Sequence, residues 1–187
     1  MNTQQLTIPE IFVFTPRKFE DQRGFFMETF RHNVFTEASG QDIEFVQDNY
    51  SFSKDKFTVR GLHYQRPPHA QGKLIKCTQG AILDVAVDVR VGSPTYGQSV
   101  QVELSAINTK QLWIPAGFLH GFVTREPDSI IQYKCTDYYV HELDGCVMWN
   151  DPEFDIDWGF DHTKAVLSDK DLKAPSFADF SSPFKYK

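Results

Sequence analysis

Two histidines, one lysine and one tyrosine stand inside apolar, strand-like runs, where a polar or charged side chain is costly unless it has a partner. His63 lies in Arg60-Gly61-Leu62-His63-Tyr64-Gln65 and His120 in Pro115-Ala116-Gly117-Phe118-Leu119-His120-Gly121-Phe122. A histidine in such a strand is more often a hydrogen-bonded core residue. Two of them, flanked by small and turn residues, tilt the reading toward acid–base work, because imidazole changes charge near neutral pH. Lys73, Ile75 and Cys77 share one face of a strand. If that face lines an interior, it directs an ammonium into a pocket; taken alone, an edge lysine reaching back to water is the simpler reading. Tyr133, on a face with Ile131 and Cys135, is a phenol able to act as a general acid beside a cation. Arg23, Arg31 and Arg60 are the candidates for holding an anion, since the guanidinium fork matches phosphate oxygens. Tyr138 and Tyr139 could stack on a nucleobase.

A metal is the competing use of the histidines. The Pro-x-Gly segment before His120 resembles the second half of the cupin metal signature. The first half of that signature supplies two His at i and i+2 followed by Glu. Here the residue two beyond His63 is Gln65, and no Glu follows before residue 103. Two imidazoles without a carboxylate make a poor site for zinc, iron or manganese. No metal is therefore expected, and the chemistry points to proton transfer.

Positioning these groups requires strands. Residues 81–89 put Leu83, Val85, Val87 and Val89 on one parity and Asp84 and Asp88 on the other, the period of a half-buried strand. Similar runs occur at 11–14, 43–47, 57–65, 73–78, 99–104, 111–115, 120–124 and 130–135. Turn residues separate them, among them Asp21-Gln22-Arg23-Gly24, Gly92-Ser93-Pro94 and Asp144-Gly145. Many short strands at even spacing predict an all-β sandwich or barrel, with the jelly roll as the small-domain candidate. Helix is scarce: one short helix is expected at 31–39, ended by Gly40, and the tail from about 164, with Ser168-Asp169-Lys170-Asp171, reads as a capped turn or short helix. Without repeat or linker, residues 1–187 are read as one domain.

Composition narrows the partners. Seventeen Phe, seven Tyr and three Trp among 187 residues exceed what most cores require. A net charge of −6 without a basic run argues against nucleic acid. The sequence contains no apolar stretch of membrane-spanning length. Cys77, Cys135 and Cys146 form no CxxC pair, which suits free thiols in a reducing cytoplasm.

Six motifs occur in order: Asp21-Gln22-Arg23-Gly24-Phe25-Phe26, Phe45-Val46-Gln47-Asp48-Asn49, Val59-Arg60-Gly61-Leu62-His63-Tyr64-Gln65, Gln71-Gly72-Lys73-Leu74, the Leu112–Phe122 run and Trp149-Asn150-Asp151-Pro152. Together they resemble the dTDP-4-dehydrorhamnose 3,5-epimerase family over nearly the whole chain. The resemblance implies a cupin-type jelly-roll homodimer with shared N-terminal strands and no metal or cofactor. Its substrate would be dTDP-4-dehydro-6-deoxy-D-glucose, inverted at C3 and C5. By position His63 is the implied base, Asp171 its orienting carboxylate, Tyr133 the acid and Lys73 the stabiliser of the enolate. Arg23, Phe26, Glu28, Gln47, Asn49, Arg60, His120, Asp144 and Lys170 are implied substrate contacts, with Tyr139 stacking on thymine. Asp144 stands where the family often has Glu.

Strict alternation would place Arg60 and His63 on opposite faces. A bulge at Gly61 would return both to one pocket. The alternative functions are an epimerase acting on one carbon, a ketoisomerase of the same scaffold, and a non-catalytic sugar-binding module.

Overall fold

Polar residues inside apolar strands must face something, and the packing of two antiparallel sheets decides what. The computed structural model describes residues 1–186. Its strands are β1 (Asn2–Gln5), β2 (Phe12–Thr15), β3 (Lys18–Asp21), β4 (Gly24–Met27), β5 (Gln47–Ser53), β6 (Val59–Gln65) and β7 (Lys73–Gln79). They continue with β8 (Ala81–Asp88), β9 (Ser99–Ser105), β10 (Gln111–Ile114), β11 (Phe118–Thr124), β12 (Ser129–Cys135) and β13 (Asp144–Cys146). Two helices, α1 (His32–Ser39) and α2 (Asp169–Leu172), accompany them. The larger sheet has the order β1-β2-β10-β7-β12-β5 and the smaller β13-β6-β11-β8-β9. The hairpin β3–β4 forms a separate two-stranded sheet.

Three apolar layers hold this arrangement. Between the sheets, Ile75, Leu112 and Ile131 of the larger meet Ile82, Ala86 and Phe122 of the smaller. On the outside of the smaller sheet, Val85, Val87, Leu119 and Val123 lie under Trp149, Phe154, Trp158 and Phe184 of the C-terminal segment. On the outside of the larger, Phe14, Leu74 and Trp113 lie under Phe35 of α1. Each fully buried side chain of this kind contributes roughly 1.5–3 kcal/mol relative to exposure.

The second layer corrects the reading of β8 as half-buried. Its apolar parity packs outward under the C-terminal segment, while Asp84 and Asp88 are themselves fully buried. Asp88 is satisfied by Arg90, Ser93 and Thr95. The lysine also differs from its simpler reading: β7 lies between β10 and β12, so Lys73 is not on an edge.

The expected strand at 43–47 is displaced. Residues 41–46 carry no strand, Ile43 and Phe45 pack on the Trp113 layer, and β5 begins at Gln47. Helix α1 does end at Gly40, whose φ of 67° closes the helix onto Thr36 O. Ser168 caps α2 by accepting the N–H of Asp171.

At Gly61 the pairing of β6 with β11 slips. His63 opposes His120 and Arg60 opposes Phe122, so two steps along β11 match three along β6. This is the bulge that would bring Arg60 and His63 to one pocket. Gly61 has φ 136°, and a Cβ there would sit 2.5 Å from Gly121 Cα and 2.9 Å from His120 O. Both glycines are needed for the strands to approach this closely. Gly61→Ala is expected to lose about 2–4 kcal/mol of stability in urea denaturation. Gly40→Ala, whose added Cβ meets nothing within 4 Å, should lose roughly 1–2 kcal/mol for its left-handed backbone alone. Equal losses at the two positions would show that the close approach does not matter.

Candidate active site

A cavity of about 420 Å³ opens between the sheets. Of the residues that the family resemblance implies, it collects all but Arg23, Phe26 and Glu28. The smaller sheet supplies His63, Arg60 and His120, and the larger supplies Lys73, Tyr133, Gln47 and Asn49. Asp144 comes from β13 of the smaller sheet, Lys170 and Asp171 from α2, and Tyr139 from the segment after β12.

His63 is built by contacts far apart in sequence. Its Nε2 lies 2.6 Å from Oδ1 of Asp171, donating to a carboxylate that is itself buried. Ser168 Oγ donates to the second carboxylate oxygen at 2.8 Å. Burial alone would raise the Asp171 pKa, but the His63 hydrogen bond and charge, with Ser168, hold it below the ordinary carboxylate value. Fixing Nε2–H leaves Nδ1 as the nitrogen free to take a proton.

Across the cavity stand an amine and a phenol. Burial lowers the Lys73 pKa, with Cys135, Asp144 and Asp84 opposing the shift. Its Nζ lies 6.0 Å from the centroid of the Tyr133 ring. Burial raises the Tyr133 pKa, and Cys135 adds to this while Arg60 opposes it. The phenol therefore stays protonated well into alkaline pH. The imidazole of His63 on one sheet thus faces the phenol of Tyr133 on the other.

The remaining groups are braced. Arg60 donates to Ser53 Oγ at 3.2 Å and to Phe52 O at 3.0 Å. Gln47 Nε2 donates to Asn49 Oδ1, and Asn49 Nδ2 to Cys135 Sγ. Asp144 Oδ2 accepts from Tyr139 Oη at 3.1 Å and from Lys170 Nζ at 2.5 Å. That ion pair ties β13 to the helix carrying Asp171.

His120 brings in a group that the sequence reading left aside. Its Nε2 lies 2.7 Å from Oδ1 of the fully buried Asp84, whose Oδ2 has no hydrogen-bond partner among the described residues. The alternation of β8 did display Asp84, but as a solvent-facing residue. Ser168 was noticed as a cap, not as a partner of Asp171's carboxylate.

Arg23, Phe26 and Glu28 lie elsewhere, as do the anion candidate Arg31 and the stacking candidate Tyr138, which is 63 % exposed. Arg23 pairs with Asp21 at 2.6 Å, Phe26 is 70 % exposed and Glu28 pairs with Arg31 at 2.7 Å. The first two belong to the β3–β4 hairpin and Glu28 follows directly after it. Among the described residues no three His, Cys, Asp or Glu side chains cluster as a metal ligand set.

A family profile described as dTDP-4-dehydrorhamnose 3,5-epimerase matches residues 5–179. The chain belongs to this epimerase family. It is 50 % identical over 186 residues to the dTDP-4-dehydrorhamnose 3,5-epimerase of Sinorhizobium fredii, covering 100 % of this chain and 94 % of that one. A solved dTDP-6-deoxy-D-glucose-3,5-epimerase from Legionella pneumophila, in complex with dTDP-4-keto-L-rhamnose, superposes with a TM-score of 0.94. It is 41 % identical, over 100 % of this chain and 98 % of that one. The Bacillus anthracis dTDP-4-dehydrorhamnose 3,5-epimerase, with TDP and PPi bound, gives 0.89 at 44 % identity, over 94 % of this chain and 99 % of that one.

Within this epimerase, the His63–Asp171 pair has a thermodynamic signature. Asp171 has a lower pKa folded than unfolded, so its contribution to stability is complete above the unfolded value of about 3.9. That contribution is lost as pH falls through the lower, folded value. The stability difference between wild type and Asp171→Asn should therefore shrink on acidification from about pH 5 to pH 3, measured by urea midpoints. A difference that stays constant across that window would count against the ionised pair.

Proposed function

We propose that this chain inverts C3 and C5 of dTDP-4-dehydro-6-deoxy-D-glucose to give dTDP-4-dehydro-L-rhamnose, without a metal or cofactor. The observation that carries the mechanism is the placement of a base and an acid on facing sheets of one cavity. Protons on C3 and C5 are acidic because each carbon adjoins the C4 ketone. His63 Nδ1 takes the proton, and the electron pair moves to O4 as an enolate. The Lys73 ammonium stabilises that charge from the larger sheet. Tyr133 donates its phenolic proton to the carbon from the opposite side, which inverts the centre. Proton exchange with solvent then returns imidazolium and phenolate to their starting forms. Asp171 fixes the imidazole tautomer and supports its positive charge. Tyr139 stacks on thymine, and Arg60, His120 and Lys170 with the polar groups of Gln47, Asn49 and Asp144 hold the rest of the substrate.

Arg23, Phe26 and Glu28 enter this reading through a homodimer. Phe19, Phe25 and Phe26 of the hairpin are 52 %, 54 % and 70 % exposed, a patch that favours burial against another chain. In the dimer the hairpin enters the partner's cavity and brings the three residues to its substrate. Three free cysteines fit work in a reducing cytoplasm. No helix among the described residues is long and apolar enough to cross a membrane.

Incubation with substrate in D2O, read by NMR, tests the chemistry. Wild type should place deuterium at both carbons; deuterium at one alone would mark a single-carbon epimerase. His63→Ala should abolish exchange. Tyr133→Phe should retain some exchange while inversion falls by about 10²-fold or more, the scale of a lost general acid. Wild-type inversion by Tyr133→Phe would remove the phenol from the mechanism.

Mixing variants tests the dimer. Arg23→Ala should raise KM about 10- to 100-fold, as for a lost charged hydrogen bond. Co-refolding it with inactive His63→Ala should recover activity at low substrate, because the mixed dimer holds one intact cavity. Absence of recovery, or a monomeric mass in light scattering, would argue for a hairpin that serves its own chain.

A further inference from the structure

Two residues beyond His63, at the position where a cupin metal site would place its second imidazole, stands Gln65. It is 5 % exposed, and its amide is fully engaged by backbone. Nε2 donates to the carbonyls of His69 and Tyr138, the latter at 2.9 Å. Oε1 accepts the N–H of Val140 at 2.8 Å. Gln65 therefore grips the residues on both sides of Tyr139. Two further glutamines act on the same segment: Gln47 Oε1 accepts the N–H of Tyr139 at 2.9 Å, and Gln71 Nε2 donates to Asp137 O at 2.8 Å.

The segment needs such bracing. Residues 137–140 lie between the end of β12 and a short 3-10 turn at His141–Leu143 and belong to no strand. Their peptide groups have no ladder partners, and buried peptide groups must be satisfied by something. Tyr139 itself is 52 % exposed, so burial does not fix its ring. A primary amide suits the task because it donates twice and accepts at once, which carboxylate, thioether and hydrocarbon cannot do.

We propose that Gln65 is a positioning residue for nucleotide recognition. It clamps the Tyr138–Val140 backbone to β6, so that the strand carrying the base also sets the place of the nucleobase platform. The cavity thereby fixes the distance between the reacting sugar and its base handle, the part of the ligand distant from the chemistry. This rests on the reading of Tyr139 as the ring that meets the nucleobase.

The test uses full-length protein, dTDP binding by calorimetry and steady-state kinetics. Gln65→Met keeps the side-chain volume and removes all three hydrogen bonds. It should weaken dTDP binding about tenfold, equivalent to about 1.4 kcal/mol, with the kinetic loss falling on KM rather than kcat. In a Tyr139→Ala background the same substitution should change dTDP affinity less than about twofold, because its effect acts through that ring. Gln65→Glu, which keeps the Val140 contact and loses both donations, should shift affinity in the same direction and serves if the Met variant does not fold. Wild-type dTDP affinity in a folded Gln65 variant would overturn the proposal, as would an equal loss with and without Tyr139, or a loss confined to kcat. If wild type itself binds no dTDP, the nucleotide-sugar reading fails instead.

Discussion

A single extra residue in β6 governs what the cavity contains. Because two steps of β11 match three of β6 at Gly61, side-chain parity reverses within the strand. Val59 and Leu62 both pack outward into the layer under the C-terminal segment, while Arg60 and His63 both reach the cavity. A regular strand would have to give up one apolar contact or one functional group. The bulge keeps both, at the cost of requiring glycine on each of the two strands where they touch. The same slip sets His120 opposite His63, so the two imidazoles lie side by side on one sheet.

Once the interior holds charges, it needs compensation inside a medium that solvates them poorly. Asp171 is met by His63 and Ser168, and Asp84 by His120. Lys73 is balanced more loosely, by the carboxylates of Asp144 and Asp84, and burial lowers its pKa. A cation held this loosely gains more from a developing enolate than one already neutralised at short range. On the proposed mechanism, the interior between the sheets offers stabilisation of negative charge on the side of the larger sheet and proton acceptance on the smaller.

Much of this was legible in the sequence, and the exceptions share a cause. His63, Lys73 and Tyr133 stood out as polar residues in apolar strands, and Gly61 announced its bulge through the conflict between Arg60 and His63. Asp84 was read on the wrong side because two-fold periodicity reports alternation, not which face has a third layer over it. The C-terminal segment that covers the smaller sheet carries little regular structure, so no pattern revealed that its aromatic residues formed a cover. Strand β5 was misplaced because its inward residues Gln47, Asn49 and Ser51 are polar and its outward Tyr50 and Phe52 exposed, the reverse of the usual signal. Arg23, Phe26 and Glu28 follow from motif resemblance, and their place apart from the cavity could not be seen in one chain's periodicity.

The bond between His63 and Asp171 spans 108 positions of sequence. A chain is synthesised from its N-terminus and folds as it emerges. Both sheets can therefore be assembled while the imidazole still lacks the carboxylate that sets its tautomer. The helix bearing that carboxylate is four residues long and has too few internal bonds to persist before it docks. On the proposed mechanism, catalytic competence is consequently among the last properties the molecule acquires.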